Sequence, residues 1–248
     1  MNDAATATEN VLPYGGTEKK DEQVRRMFDT IASRYDRLNH LLSLGFDRMW
    51  RRKAIDMLRL YNPQEILDVA SGTGDLAITM CRRLHPWIIT CIDISREMMA
   101  VGAAKAKRKG FDNCIRFEYA DCMALPYADN TFHAVTVAFG VRNFANIRKG
   151  LAEIYRVLCE GGRFILLELS TPQHFPAKQL YSLYSRTVIP LISSLFSLER
   201  AAYRYLPASI SQMPQGDEML GLMAEQGFRE LRARRFTMGV CTVYSGAK

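Results

Sequence analysis

The sequence lacks the motifs of several common protein classes. None of its six cysteines forms a C-x-x-C pair, so it contains neither a zinc-site pattern nor a redox dithiol, and we expect free thiols and no bound metal. The longest charge-free run in its most apolar segment, residues 187–198, is far shorter than the roughly 20 residues that span a bilayer. Residues 1–10 have neither a basic start nor an apolar core, which predicts no secretory signal and a cytoplasmic protein.

Charge and composition are those of a folded protein without a marked nucleic-acid signature. Of the 248 residues 48% are hydrophobic and 24% charged, which argues against wholesale disorder. The formal net charge of +7 would suit an anionic lipid surface, nucleic acid or an acidic ligand. The basic clusters 51–53, 105–109 and 232–235 are short, so we interpret them as solvated faces, and without an RNA-module signature we expect no nucleic-acid partner.

The hydrophobic pattern predicts a single α/β domain. The i, i+3/i+4 spacing indicates amphipathic helices over residues 24–42 and 47–60. Short apolar runs typical of strands follow at residues 65–70, 87–94, 115–119, 134–139 and 163–169. Helical stretches separate these strands at residues 76–84, 96–109 and 147–158, and Gly110 and Gly161 are expected to end the last two. Alternating strands and helices predict a parallel sheet covered on both faces.

The two ends of the chain differ from this alternation. Residues 1–20 are predicted to be a flexible tail before a domain at 21–248, in which residues 21–60 and 172–210 form helical cap or lid segments. The latter segment includes an aromatic and aliphatic stretch at 175–206. A helix at 218–225 and two strands at 228–236 and 240–245 then predict an antiparallel hairpin that completes the sheet.

A glycine turn follows the first predicted strand in "LDVASGTGDLAI", residues 67–78. The letters fit the G-x-G-x-x-A fingerprint of dinucleotide loops and also the looser turn of S-adenosylmethionine-dependent methyltransferases. Asp68 lies in the strand before the turn, where an anion would repel a pyrophosphate but attract an ammonium group. Asp93 and Asp121 end the next two strands, where they could meet ribose hydroxyls and an adenine amino group.

Each aspartate alone could cap a helix or begin a turn. Together they lie at one edge of the predicted sheet, which favours an adenosyl ligand with a cationic amino-acid end, as in S-adenosylmethionine. A nicotinamide-dependent oxidoreductase, another small-molecule or lipid methyltransferase and a non-enzymatic binding module remain as alternatives.

Two longer stretches carry a specific resemblance. "YDRLNHLLSLGFDRMWR" contains a Y-D-x-x-N-x-x-x-S-x-x-x-x-x-x-W pattern, and "RVLCEGGRFILLELS" occupies residues 156–170. "FGVRN" at 139–143, "YRYLPASI" and the closing "GVCTVYSGAK" match further segments. Over residues 24–248 the sequence resembles the ubiquinone/menaquinone biosynthesis C-methyltransferase family, and within it the demethylmenaquinone methyltransferases.

The resemblance implies a fold and a cofactor. The fold would be that of class I methyltransferases: a Rossmann-like, seven-stranded, mostly parallel sheet with a C-terminal antiparallel hairpin and an N-terminal helical cap. The cofactor would be S-adenosylmethionine, contacted by side chains of the turn and of the following strand ends: Thr73, Asp93, Asp121 and Cys122. Gly72 and Gly74 would shape the loop. Ala138 stands where many relatives carry serine and so removes a side-chain contact to the cofactor, and Asp47 replaces a common histidine.

The resemblance also implies a substrate, a polyprenylated hydroquinone that lacks its ring methyl group, with the choice between naphthoquinol and benzoquinol left open. Arg142 and Asn143 would face the transfer point, with Arg142 stabilising a phenolate or orienting a water. Tyr35 and Asp36 are candidates for the general base. The stretch 175–205 would cover the isoprenoid tail, peripheral docking on a membrane would suit such a substrate, and a homodimer is compatible with the family.

Overall fold

The computed structural model describes residues 6–195 and 200–248, built around one seven-stranded sheet in the order β3-β2-β1-β4-β5-β7-β6. The strands are β1 Glu65–Val69, β2 Ile88–Asp93, β3 Ile115–Tyr119, β4 Phe132–Ala138, β5 Leu158–Leu169, β6 Arg229–Phe236 and β7 Cys241–Ala247. The first five pair in parallel, whereas β7 runs antiparallel to both β5 and β6. The structure thus confirms the predicted parallel sheet with its terminal antiparallel hairpin.

The order of the strands creates a crevice at the carboxyl edge of the sheet. β1 pairs with β2 on one side and with β4 on the other, so the crossover direction reverses between β1 and β4. Helices leaving these two strands pack on opposite faces, and ligands of open α/β sheets bind where they diverge. The glycine turn follows β1 and therefore lies at this point.

Helices cover both faces of the sheet, because the strands are apolar on both sides. α4 Asp75–Leu84, α5 Arg96–Arg108, α6 Ile147–Val157 and α9 Asp217–Glu225 lie within two residues of the predicted positions. One expected boundary is wrong: Gly161 does not end α6, because β5 already begins at Leu158 and Gly161 lies within that strand at φ +73°. The pairing of Phe132 with Leu158 extends the β4–β5 ladder beyond the apolar run from which the strand was predicted.

The predicted first helix is two helices. α1 Lys20–Ile31 and α2 Tyr35–Leu42 are separated by a 3₁₀ turn at Ala32–Arg34, and α3 Phe46–Asp56 follows. A 3₁₀ turn keeps an i, i+3 spacing, so the apolar stripe runs through the break without a signal in the sequence. Phe28 and Tyr35 still pack edge to face across it, with ring centroids 5.8 Å apart.

The segment predicted as a lid contains α7 Ala177–Leu195 and α8 Arg200–Gln212. Residues 196–199, which belong to its most apolar part, lie outside the described residues. None of the helices in the described ranges is sufficiently long and apolar to span a bilayer.

The predicted flexible tail packs against the domain over its described part, which corrects the expectation for residues 6–20. Thr8 is fully buried in a 3₁₀ helix, Ala7–Asn10, and its hydroxyl donates to the carbonyl of Ser209. Glu9 accepts a hydrogen bond from the backbone N–H of Ile147 at 2.8 Å, and an acidic group at that end of α6 complements the helix dipole. The sequence did not reveal this packing, because it combines hydrogen bonds to distant groups with isolated apolar contacts of Val11 and Tyr14.

Candidate active site

The turn after β1 begins α4 through glycines in left-handed conformations. Gly72 and Gly74 have φ values of +55° and +71°, which L side chains adopt only at a cost. A Cβ on Gly74 would lie 2.8 Å from the Phe117 ring, so glycine is needed there for packing as well as for backbone shape. The N–H of Gly72 donates to Asp93 at 2.8 Å. The turn is therefore fastened to the end of β2.

Asp68 is buried in β1 with half of its carboxylate satisfied. Its Oδ1 accepts a hydrogen bond from the Thr136 hydroxyl at 2.7 Å, whereas Oδ2 has no partner among the described residues. Burial raises the pKa of Asp68 to about 7. An unpaired carboxylate oxygen facing a cavity is a strong acceptor for a cationic donor.

The other two strand-end aspartates are held by the backbone. Asp93 accepts from the N–H groups of Gly72 and Ser95, each at 2.8 Å, and burial raises its pKa above the usual value. Asp121 accepts from the N–H of Met123 at 2.9 Å. Because a carboxylate has about four acceptor positions, both keep positions for hydroxyl or amino donors of a ligand.

A first cavity of about 920 Å³ lies over this edge of the sheet. The predicted cofactor residues that line it are Asp68, Gly72, Thr73, Asp93, Asp121, Cys122 and Ala138. Gly74 does not line it and acts only on the shape of the loop. Helix α1 contributes Asp21, Val24 and Phe28 to the opposite wall, as expected of a helical cap.

The charge of this cavity selects among cofactors. In the described part of the chain five carboxylates line it, those of Asp21, Asp68, Asp75, Asp93 and Asp121. The cationic side chain in its described lining is Arg51, which already contacts Asp47 and Asp75. Such a lining repels a pyrophosphate and suits an ammonium and a sulfonium group, so the donors and acceptors present fit S-adenosylmethionine.

A second cavity of about 1310 Å³ opens beside the first. Its lining is mostly apolar and comes from α2, α3, the lid helices α7 and α8, and the segment after β6; it includes Leu44, Phe46, Trp50, Leu180, Leu206, Ile210, Met238 and Val240. The Tyr184 hydroxyl donates to the carbonyl of Leu42 at 2.6 Å, which ties α7 to α2 over the cavity. The size and apolar lining of this cavity suit a hydrophobic molecule that has a ring and an aliphatic tail.

Three side chains of the described residues line both cavities: Tyr35, Arg51 and Phe139. We call this shared boundary the junction. Burial raises the pKa of Tyr35, so its phenol is neutral at ordinary pH and is a poor base. Trp50 packs edge to face on Phe139, with centroids 6.4 Å apart, and supports the junction from the apolar side.

Arg142 and Asn143 lie on different cavities. Arg142 lines the second cavity and is buried against Glu168, with Nη1 donating to Oε1 at 2.6 Å and to the carbonyl of Phe139 at 2.6 Å. Its Nε is buried without a partner among the described residues. Asn143 lines the first cavity and accepts from the Tyr205 hydroxyl at 3.0 Å.

Asp36 is not placed to act as a base, contrary to the expectation. It lines neither cavity and its oxygens accept from Thr73 Oγ1 and from Lys105 Nζ, each at 2.5 Å. Lys105 also contacts Asp75 at 2.6 Å. An ion-paired carboxylate behind the cofactor loop holds α2 against α4 and α5, and so Asp36 serves the architecture of the loop.

Arg51 is the main residue that the sequence interpretation missed. The cluster 51–53 was expected to be a solvated face, which holds for Arg52 and Lys53 but not for Arg51, a buried side chain. Asp47 precedes it by four residues on α3, and this i, i+4 pairing was a readable signal. Burial of that face depends on α2 and α4, which no local pattern in α3 reveals.

Comparison with known proteins gives a consistent result. The pattern of the ubiE/COQ5 methyltransferase family matches residues 16–248. A demethylmenaquinone methyltransferase of Bacteroides fragilis is 50% identical over 240 residues, which cover 97% of this chain and 98% of that protein. A ubiquinone/menaquinone biosynthesis C-methyltransferase UbiE of Geobacter sulfurreducens is 44% identical, covering 96% and 93%.

Among solved structures, an S-adenosylmethionine-dependent methyltransferase from Thermotoga maritima shares the fold. It has a TM-score of 0.63 at 17% identity and covers 90% of this chain and 99% of its own. The architecture is therefore that of class I S-adenosylmethionine-dependent methyltransferases.

Proposed function

This chain belongs to the ubiE/COQ5 methyltransferase family, and from that premise we propose that it methylates a ring carbon of a polyprenylated hydroquinone, with demethylmenaquinol as the principal substrate. It is an S-adenosylmethionine-dependent methyltransferase. The observation that carries the substrate assignment is the pair of cavities, one acidic and one apolar, that meet at Tyr35, Arg51 and Phe139. A cofactor in the first and a lipid-tailed quinol in the second would meet only there.

The first cavity has a group for each part of the cofactor. When bound, S-adenosylmethionine supplies an electrophilic methyl group on a sulfonium sulfur. Asp68 Oδ2 would accept from the ammonium group, Asp93 from the ribose hydroxyls, and Asp121 from the adenine amino group. Holding these groups fixes where the methyl carbon lies, and such positioning can contribute roughly 7–11 kcal/mol to catalysis.

Arg142 acts on the quinol. Loss of a phenolic proton to water makes the neighbouring ring carbon nucleophilic. That carbon would form its bond to the methyl group as the methyl–sulfur bond breaks and a neutral thioether leaves, and it would then lose its own hydrogen as a proton. A guanidinium cannot accept the phenolic proton because it stays charged, but its unpaired Nε stabilises the phenolate that remains. Glu168 fixes the guanidinium in place through the 2.6 Å contact.

The ring is assigned as a naphthoquinol, because the relative that is 50% identical over nearly the whole chain is named for demethylmenaquinone. A 2-polyprenyl-6-methoxy-1,4-benzoquinol is the second candidate, because the relative at 44% identity is named for both ubiquinone and menaquinone. The apolar second cavity supports both rings.

The protein is proposed to work in the cytoplasm, docked on an anionic membrane surface. Leu44, Leu180 and Met238 line the second cavity yet are 70, 58 and 69% exposed, so the rim of this cavity is apolar. The formal net charge of +7 favours anionic headgroups. A lipid-tailed quinol would then enter from the bilayer.

The test is a methyl-transfer assay. We expect the purified protein to move label from methyl-labelled S-adenosylmethionine to the ring carbon of demethylmenaquinol in mixed micelles, with slower transfer to the benzoquinol. Label on oxygen, or in neither quinol, would refute the assignment. Titration with reduced nicotinamide cofactor, for which we expect no binding, tests the oxidoreductase alternative.

A further inference from the structure

Among the described residues, Arg51 is the charged side chain of the junction. It lines both cavities, whereas Arg142 lines only the second. Its guanidinium carbon lies 5.2 Å from the centroid of the Phe139 ring, a cation–π distance that orients the group. Within the described chain its hydrogen bond and ion pairs all run through Nη1, so Nε and Nη2 are not engaged by other described residues.

A buried network holds this guanidinium. Asp47 pairs with Arg51, and Asp47 itself accepts hydrogen bonds from Ser43 Oγ and His40 Nδ1, each at 2.8 Å. Ionic and hydrogen-bond partners, Arg51 first among them, hold the pKa of Asp47 below its usual value despite burial, so it remains a carboxylate. Arg51 is thereby held by α2 and α3, in addition to its contact with the Phe139 ring after β4.

The second carboxylate near Arg51 is shared. Asp75 Oδ2 lies 3.9 Å from Arg51 Nη1, but Asp75 Oδ1 lies 2.6 Å from Lys105 Nζ. Despite burial, Arg51 and then Lys105 hold the pKa of Asp75 below its usual value, so the two cations share this carboxylate. The other titratable groups that act on Arg51 are Tyr35 of α2, Asp68 of β1 and Cys241 of β7.

The position of Arg51 matches a definite atom of the substrate. In a hydroquinol the hydroxyl that activates the reacting carbon is on the adjacent ring carbon, and the second hydroxyl lies opposite, across the ring. The reacting carbon must reach the junction, so the activating oxygen lies there too. Arg142 lines the second cavity and, like Arg51, acts on Tyr35, so its Nε would donate to the same oxygen from the side of the second cavity.

We propose that Arg51 is a catalytic residue whose guanidinium stabilises, as phenolate, the ring hydroxyl adjacent to the carbon that is methylated. The proposal rests on the assignment of a hydroquinol substrate. A positive charge within hydrogen-bond reach of a phenol lowers its pKa by about 1–3 units in a protein interior, which raises the reactive fraction at neutral pH by the corresponding factor. Asp47 is a positioning residue for this group.

The ionisation of a bound phenol measures this effect without turnover. 1-Naphthol changes its absorption spectrum on ionisation, and it would be titrated with pH in the presence of S-adenosylhomocysteine. We expect the wild-type protein to lower the pKa of bound 1-naphthol by at least one unit relative to free 1-naphthol. Arg51→Gln should lose at least one unit of that shift, Arg51→Lys should retain part of it, and Arg52→Gln, on the exposed side of α3, should behave as wild type.

A second variant guards against misfolding. Arg51→Gln leaves Asp47 buried without its cation, so the double variant Arg51→Gln/Asp47→Asn removes the pair together. We expect it to fold, to bind S-adenosylhomocysteine within about three-fold of wild type, and to show the same lost shift. Its kcat should fall at least ten-fold at pH 7 and recover as the pH rises.

The outcomes separate the two proposals. If bound 1-naphthol has the same pKa in the folded double variant as in the wild type, the role of Arg51 is overturned, even if the wild type methylates demethylmenaquinol. A wild type that methylates no quinol but lowers the pKa of 1-naphthol through Arg51 overturns the quinol assignment and supports Arg51 as a phenolate-binding group.

Discussion

At the scale of single residues, Asp68 governs how the cofactor site responds to pH. Its pKa is raised by burial from 3.8 to about 7, so the folded protein holds a proton there between those values while the unfolded chain does not. This group therefore makes the free energy of unfolding fall as pH rises from about 4 to about 7. An ammonium group bound beside Oδ2 would lower the pKa of Asp68 again, because the positive charge favours the carboxylate over the protonated acid.

Cofactor affinity should therefore rise with pH. With a pKa of about 7, the ionised fraction of Asp68 differs about ten-fold between pH 6 and pH 8, and we expect calorimetric Kd values for S-adenosylhomocysteine to differ by about that factor. Asp68→Asn should bind more weakly at pH 8 and lose the pH dependence. An equal Kd for the wild type at both pH values would contradict this assignment.

Arg142 carries the second residue-scale prediction. Its removal alone would leave Glu168 buried and unpaired, so the informative variant is Arg142→Met/Glu168→Gln. We expect cofactor Kd within about two-fold of wild type and kcat lower by about 10²–10³, the usual cost of losing one donor to a developing anion. Stopped-time assays that find wild-type kcat in a folded variant would remove Arg142 from the chemistry.

The positions of some residues follow from the local sequence pattern, whereas those of others depend on how distant helices pack together. Asp68, Asp93 and Asp121 could be placed from sequence, because each sits at the end of an apolar strand and parallel strands bring their ends to one edge. Arg51 and Asp36 could not, because both depend on how α2 and α3 dock on α4 and α5. The sequence shows that Arg51 and Asp36 are charged, but it does not show that their side chains are enclosed by these helices.

At the scale of elements, the turn between β1 and α4 combines backbone strain with close packing. Gly74 and Gly110 have nearly equal φ values, +71° and +73°, but a Cβ would meet Phe117 at 2.8 Å in the first and nothing within 4 Å in the second. Comparing substitutions at these two glycines therefore separates the cost of the left-handed backbone from the cost of displacing the Phe117 ring.

Gly110→Ala should lower the free energy of unfolding by about 1–2 kcal/mol, the cost of the left-handed conformation alone. Gly74→Ala should cost about 1–3 kcal/mol more, because Phe117 must move. Urea denaturation of both variants measures the difference, and equal losses would show that Phe117 adapts without cost.

The elements themselves were largely predictable where a hydrophobic period matched one element, as in β1 to β4 and α4 to α6. The division of residues 24–42 was not, because the 3₁₀ turn preserves the apolar stripe across the break. The packed residues 6–19 also escaped prediction, since they are held by hydrogen bonds to distant backbone groups such as the carbonyl of Ser209 and by isolated apolar contacts of Val11 and Tyr14.

At the scale of the whole molecule, two groups of exposed apolar side chains lie near opposite edges of the sheet. Leu44 and Met238 lie at the rim of the second cavity, whereas Leu60, 93% exposed, precedes β1 at the amino edge of the sheet. Only the rim group is linked to a cavity for a lipid-tailed molecule. The two groups provide matched surfaces for a membrane-binding test.

Leu44→Asp/Met238→Asp should reduce cosedimentation with vesicles containing phosphatidylglycerol at least five-fold, because both buried apolar area and favourable charge are lost. Leu60→Asp should leave it unchanged. Equal loss in both variants, or none in either, would contradict docking through the cavity rim.

The fold class and the cofactor could be inferred from the sequence, because the alternation of strands and helices along the chain and the glycine turn are local features. The arrangement of two cavities around Tyr35, Arg51 and Phe139 could not, because it joins α2, α3 and the end of β4. The most direct test of the account is a crystal structure with S-adenosylhomocysteine and demethylmenaquinol. We predict the cofactor sulfur and the unsubstituted ring carbon facing each other at these three side chains. A quinol ring bound away from them, for example in the separate cavity beside His174 and Arg235, would contradict it.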